Sequence, residues 1–208
     1  MKKNVSHETF LQCCKTTPFF KENSFSNYFF DKIYLYYCEY IKWNKVHNIS
    51  AVKTLEDFVE QHLVDSLLPV RFFKNKFFSS VADFGSGAGF PGIPLSLFYK
   101  NSGFYLFDTV RKKTSFIKFF CYSNGVQNVT VHNENFFKAS AFFDCVTMRA
   151  VNLSSETLAR IKKHQRNKGF LLYYASMKQD TSSFERCISY AIPNISRNKV
   201  VYVLDLSK

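Results

Sequence analysis

Val81-Ala82-Asp83-Phe84-Gly85-Ser86-Gly87-Ala88-Gly89-Phe90-Pro91-Gly92, running on into Ile93-Pro94-Leu95-Ser96-Leu97-Phe98, is the stretch whose reading decides the fold. The run ending at Phe84 has the composition of a buried strand, and the residues from Phe90 or Pro91 onward suit the opening of a helix. The four glycines between Asp83 and Gly92 therefore fall in a strand-to-helix turn, where missing side chains let bare backbone approach a ligand. Pro91 and Pro94 fit a first helical turn, whose N–H groups lack intrahelical partners. A tight turn alone also favours glycine, so the turn by itself names no ligand.

The spacing narrows the choice. A dinucleotide fingerprint, G-x-G-x-x-G, needs glycine at position 90, and this chain has Phe90 there. Gly85, Gly87 and Gly89 instead give G-x-G-x-G, the commoner form in proteins that bind S-adenosylmethionine. The next apolar run, Gly103-Phe104-Tyr105-Leu106-Phe107, ends at Asp108, nineteen residues beyond Gly89. A carboxylate at the end of a second strand accepts both hydroxyls of a ribose. Gly85, Gly87, Gly89, Phe90 and Asp108 are thus candidate cofactor contacts. A nicotinamide oxidoreductase is the competing reading, and Phe90 counts against it.

From residue 77 onward, apolar runs alternate with helical patterns: Val81 to Phe84, a helix to Tyr99, Phe104 to Phe107, a helix from Val110 to Ser123, then Val129 to His132. Repeated β-α units imply a parallel sheet. Phe142 to Thr147 and Gly169 to Tyr174 read as the fourth and fifth strands, with a helix near Ser154 to His164 between them. Two last strands, about Glu185 to Ile192 and Lys199 to Leu206, form a closing hairpin. The fold class is α/β, a Rossmann-like class I S-adenosylmethionine-dependent methyltransferase fold whose mainly parallel sheet has seven strands. Residues 1–75 read as a helical N-terminal extension and 76–208 as the cofactor-binding domain. Helical spacing runs from Tyr28 to Trp43, and Thr54-Leu55-Glu56-Asp57 resembles a capped helix start leading through His62 and Asp65 toward Pro69. At i and i+3, His62 and Asp65 share one face.

Composition points to a polyanionic partner. The 208 residues hold 28 Lys and Arg against 16 Asp and Glu, a net charge of +12. No apolar run approaches membrane-spanning length and the start lacks a signal-peptide core, so nucleic acid is expected rather than a membrane, in a cytoplasmic protein. The six cysteines show no C-x-x-C pair and no zinc-site spacing, and are expected as reduced thiols with no metal. The 25 Phe and 12 Tyr are expected to be mostly core.

Several elements together resemble one family. Trp43-Asn44-Lys45-Val46-His47-Asn48-Ile49-Ser50 and His62-Leu63-Val64-Asp65-Ser66 are similar to the W-N-x-x-x-N-L-T and H-x-x-D-S elements of the RsmG (GidB) family, bacterial 16S rRNA guanine-N7 methyltransferases. Gly85 to Pro94 is similar to its cofactor loop, Asp108-Thr109-Val110-Arg111-Lys112-Lys113 to its D-S-x-x-K-R, and Phe143 to Val151 to its F-D-x-V-x-S-R-A. The chain departs from the family at Met148, which replaces the serine before Arg149, and after the third strand. There the family's R-A-E-E, which frames the adenine, is replaced by His132-Asn133-Glu134-Asn135-Phe136-Phe137. Counting back from Arg149 aligns Glu134 and Asn135 with the adenine contacts, whereas counting forward from Asn128 favours Asn135 and Phe136. The A-L-K-G after the fifth strand appears as Ala175-Ser176-Met177-Lys178-Gln179.

The resemblance implies an enzyme, a 16S rRNA (guanine-N7)-methyltransferase using S-adenosylmethionine. Its expected partner is 16S rRNA or the small ribosomal subunit, and the chain is expected to act as a monomer. Guanine N7 has an in-plane lone pair and no proton to lose, so direct in-line displacement needs no general base and positioning carries the catalysis. No catalytic residue is then certain. Arg149, His62 and Asp65 are positioning candidates, and the resemblance favours a cofactor contact for Arg149, which reads otherwise as a contact to the purine O6, an RNA phosphate contact or a plain surface ion pair. For His62 the competing reading is a packing residue. Candidate RNA contacts are Arg111, Lys112, Lys113, Arg160, Lys162, Lys163, Lys178 and Arg197, each also readable as a solvated charge. A basic RNA-binding protein that has lost catalysis is the remaining alternative.

Overall fold

The structure, a computed structural model, describes residues 5–52, 54–73, 78–176 and 199–206. Its centre is a sheet of strands β1 (Ser80–Phe84), β2 (Gly103–Phe107), β3 (Val129–His132), β4 (Phe143–Arg149), β5 (Gln165–Ser176) and β6 (Lys199–Asp205). They lie in the order β3-β2-β1-β4-β5-β6, all parallel except β6, which pairs antiparallel with β5. The expected strand near Glu185 to Ile192 lies outside the described residues, as do Lys178, Arg197 and Cys187; the sheet therefore has six strands among the described residues.

Both faces are covered, as a parallel sheet requires. Alternate residues point to opposite sides. Val81, Phe104, Leu106 and Cys145 enter one cluster, and Ala82, Phe107, Val146 and Met148 the other. The first face carries α7 (Gly92–Phe98) and α8 (Arg111–Ser123), and the second carries α9 (Ser155–Lys162).

The N-terminal helices α1 (His7–Thr16), α2 (Pro18–Glu22) and α3 (Asn27–His47) pack onto the first face rather than around a core of their own. Phe10, Phe29, Tyr36 and Tyr40 share one buried cluster with Phe90, Phe116 and Phe120. Local chemistry places the helix ends. Ser6, Ser26, Thr54 and Ser154 each accept a backbone N–H three residues on, and Asn48 closes α3 at φ 47°, a conformation asparagine tolerates.

Two differences from the sequence reading have physical causes. After α4 (Leu55–Asp57) the expected regular helix is π-helical over Phe58–Val64 before α5 (Asp65–Leu67) and α6 (Val70–Phe73). That wider turn is held by packing, since Phe58, Val59, Leu63 and Val64 are all buried. Strand β5 starts earlier than Gly169, because Gln165 pairs with Phe143 before a register shift brings Phe170 opposite Cys145. Cys13, Cys14, Cys38, Cys121 and Cys145 are free thiols, and burial pushes the Cys121 thiol up to about 12. Among the described residues no helix is long and apolar enough to cross a membrane.

Candidate functional site

The sheet order reverses between β2 and β4 around β1, and such a reversal opens a crevice at the carboxyl ends of the strands. The glycine turn fills this point. Gly85 and Ser86 donate their N–H groups to Phe107 O at 2.9 and 3.0 Å, tying the turn to β2, and Ser86 Oγ donates to Asp83 O at 2.9 Å.

Asp83 anchors the turn from below. Its fully buried carboxylate accepts Thr147 Oγ1 at 2.8 Å and Gly92 N–H at 3.0 Å. Burial raises its pKa to about 6 against the opposing pull of those hydrogen bonds. This side chain also explains Gly92, where a Cβ would stand 2.6 Å from Asp83 Oδ2.

The other glycines divide into two kinds. A Cβ at Gly85 would meet Val151 Cγ2 at 2.8 Å, and one at Gly89 would meet the Tyr36 hydroxyl at 2.7 Å and Ile93 Cγ1 at 2.8 Å. At Gly87, φ +58°, nothing but Gly85 O at 4.0 Å is near. Gly87 thus faces open space, while its N–H donates to Asp108 Oδ2 at 2.8 Å. The other Asp108 oxygen accepts Val110 N–H at 2.8 Å, and Asn133 Nδ2 donates to Asp108 O at 3.0 Å. Each carboxylate oxygen keeps a further lone pair for a hydroxyl donor. An uncovered glycine backbone beside a strand-end carboxylate is a cradle of the shape and chemistry that a ribose-bearing cofactor needs.

The second half of the site gathers on Phe90. The His62 ring stacks on it, centroids 4.4 Å apart at 22°, and the Arg149 guanidinium lies 5.4 Å from its centroid. Arg149 Nη1 donates to Asp65 Oδ2 at 3.1 Å, with the two side chains 17% and 4% exposed. His62 Nε2 is hydrogen-bonded to Ser50 Oγ at 3.0 Å, with Tyr40 OH at 3.4 Å. Asn44 holds that loop by accepting Ser50 N–H at 2.8 Å and donating to Val52 O at 3.0 Å. Ser66 O accepts Tyr174 OH at 2.9 Å. His62 and Arg149, distant in sequence, therefore meet at one ring, with Ser50 bonded to the first and Asp65 to the second. Ala150 follows at φ 56°, a strained turn for a non-glycine residue at the end of β4.

Other expected site residues are placed differently. Glu134 Oε1 lies 3.4 Å from His132 Nδ1, and Asn135 Oδ1 caps the short 3-10 turn by accepting Phe137 N–H at 2.9 Å. The Phe136 ring is fully buried among Phe84, Phe107 and Phe143, so its side chain is core and only its backbone is left for a ligand. Arg111, Lys112 and Lys113 open α8 on one face of the sheet, while Arg160 and Lys162 ride on α9 and Lys163 caps it across the other, so the two basic groups are not one surface. Arg160 stacks 3.8 Å over the Phe137 ring, and Arg166, from the same basic stretch, pairs with Asp144 at 3.8 Å.

Two site residues escaped the sequence reading. Asp83 carried a signal, an acid inside an apolar strand run. Tyr36, whose hydroxyl donates to Ala88 O in the middle of the glycine turn, carried none.

Comparison with known proteins gives these features a context. A family model described as rRNA small subunit methyltransferase G matches residues 30–203. A protein of the same description from Francisella philomiragia is 37% identical over 123 residues, 59% of this chain and 58% of that protein. One from Brachyspira hyodysenteriae is 30% identical over 178 residues, 86% and 83% of the two chains. The match thus reaches little over half of the first relative and most of the second. Among solved structures, a ribosomal protein L11 methylase from Lactobacillus delbrueckii superposes with a TM-score of 0.55 at 14% identity, covering 70% of this chain and 78% of that one. A methyltransferase from Geobacter sulfurreducens gives 0.52 at 15% identity, covering 67% and 78%. The fold is that of the Rossmann-like class I methyltransferases.

Proposed function

The chain belongs to the rRNA small subunit methyltransferase G family, and we propose that it methylates N7 of a guanine in 16S rRNA with S-adenosylmethionine as donor. The observation that carries this reading is the meeting of His62 and Arg149 at Phe90, held by Ser50 and Asp65, together with the open backbone at Gly87 and the Asp108 carboxylate.

When bound, the donor supplies an electrophilic methyl group on a sulfonium. The chain's part is to hold and orient. Asp108 would accept ribose hydroxyls, Gly87 would let the turn approach closely, and the segment after β3, at Glu134 and Asn135 or at Asn135 and the Phe136 backbone, would border the adenine. Guanine N7 brings its own lone pair, so none of these residues needs to remove a proton.

Charge is handled by the pair behind Phe90. As the methyl group moves, the purine becomes cationic, and a bare guanidinium nearby would oppose it. Asp65 neutralises Arg149 at 3.1 Å, and the half-buried His62 ring lies over the buried Phe90 ring. In this reading Arg149 and Asp65 are positioning residues, and the helical extension of residues 1–75 frames the acceptor side of a domain spanning 76–208. The chain acts as a cytoplasmic monomer on 16S rRNA or the small subunit.

The test is chemical. Hypomethylated ribosomal RNA or small subunits, incubated with donor carrying a labelled methyl group, should acquire label at guanine N7. Label on protein or at another base position refutes the reading, and RNA binding without donor binding refutes catalysis. Sedimentation of the free chain checks the monomer.

A further inference from the structure

We propose that the exposed aromatic face shared by α3 and α8 is a stacking platform for single-stranded RNA flanking the target base. The proposal rests on the methylation reading above for its ligand class, but on different residues. Phe119 is 44% exposed, Tyr122 92% and Val46 71%, and the half-buried Trp43 joins them, its ring 5.8 Å from Phe119 and 5.0 Å from His47. Four apolar side chains on two adjoining helices, two of them (Trp43 and Phe119) in ring contact, are thus left partly or wholly uncovered by the described residues.

The surrounding charge selects the occupant. Helix α8 carries Arg111, Lys112, Lys113 and Lys118 and no carboxylate, while the end of α3 adds Lys45. Lys112 Nζ donates to His47 O at 2.8 Å, which fixes a cation at the seam between the helices. Lysine is depleted at protein–protein interfaces, whereas rings edged by lysines match unpaired bases joined by phosphates. Duplex RNA hides its bases in the stack and offers the rings nothing.

Position agrees with charge. Helix α8 opens three residues after Asp108, and α3 runs through Asn48 into the Ser50 loop that holds His62. A strand lying on the platform therefore passes the edge where the target base would enter.

Trp43 is the only tryptophan, so its emission reports on this surface. Titration of the full chain with a short unlabelled single-stranded oligouridylate should quench it, and a duplex RNA of equal length should not. The double substitution Phe119→Ala, Tyr122→Ala should weaken oligouridylate binding roughly tenfold or more, with S-adenosylmethionine affinity unchanged. Lys118→Glu, which leaves the rings intact, should weaken binding most at low salt. RNA binding with Trp43 emission unmoved and the double variant at wild-type affinity overturns the platform and leaves the methylation reading standing. Quenching without any methyl transfer by the wild type overturns that reading alone. A dimer that the double variant dissolves makes the face a protein contact and overturns the platform.

Discussion

Replacing Gly87 and Gly89 by alanine, one at a time, should separate binding from folding within a single turn. At Gly87 the added methyl meets open space, so the folded state loses only the cost of a left-handed conformation, about 1–2 kcal/mol. The same methyl intrudes where the cofactor would lie against the backbone. An overpacked contact costs about 1–3 kcal/mol, roughly 5- to 150-fold in affinity. At Gly89, φ +90°, the methyl would sit 2.7 Å from the Tyr36 hydroxyl and 2.8 Å from Ile93. Tyr36 must then release Ala88 O, adding the cost of a buried unmade hydrogen bond to strain and overlap, about 3–5 kcal/mol together. Urea unfolding reads the first quantity and calorimetric titration with S-adenosylmethionine the second. Wild-type cofactor affinity in Gly87→Ala, or equal stability of the two variants, would refute the division of labour among the glycines.

Three further outcomes are expected. Asp108→Ala should lower cofactor affinity by about 1–3 kcal/mol through lost hydroxyl contacts, measured by the same titration; a neutral result removes Asp108 from the ribose role. Asp65→Ala removes the carboxylate facing the mostly buried Arg149 and should destabilise the fold by about 3 kcal/mol, with Arg149→Met in the same chain recovering part of the loss in thermal unfolding. Asp83 should make stability fall with rising pH. Its folded pKa of about 6 lies above the ordinary 3.8, so between those values the native state holds the proton more tightly than the unfolded chain. Its contribution is fully present below 3.8 and is lost as pH rises through 6, roughly 3 kcal/mol in all. Asp83→Asn lacks this slope, so the stability of wild type relative to variant should drop between about pH 4 and pH 7, and a constant difference would contradict the buried carboxylate.

The strand-turn-helix at Asp83 to Phe98 and the parallel β-α units were readable because each depends on local composition and period. Resemblance named His62, Asp65 and Arg149 as positioning candidates, but their grouping beside Phe90 was not legible, since nothing local joins residues so far apart. The π-helical turn at Phe58–Val64 left no trace in the pattern, because its wider turn is set by what packs against it. The three glycines of G-x-G-x-G look alike in sequence, and only Val151, Tyr36 and Ile93, contributed from elsewhere, make Gly85 and Gly89 packing positions and Gly87 an open one. Phe136 looked like a ligand contact by alignment, and its burial follows from Phe84, Phe107 and Phe143 converging from three strands.

The aromatic cluster that α3 shares with the glycine turn and α8 sets when its parts can pack during synthesis. The faces of Tyr36 and Tyr40 emerge from the ribosome early, but Phe90, Phe116 and Phe120, which cover them, follow much later. Until α8 has cleared the exit, the nascent chain carries an unmated ring of tyrosines and phenylalanines, the kind of surface that misassociates or is held by chaperones. Slow translation between α3 and α8 would therefore lengthen a vulnerable interval, and the glycine turn, braced by Tyr36 from one side, would be among the last parts of the molecule to set.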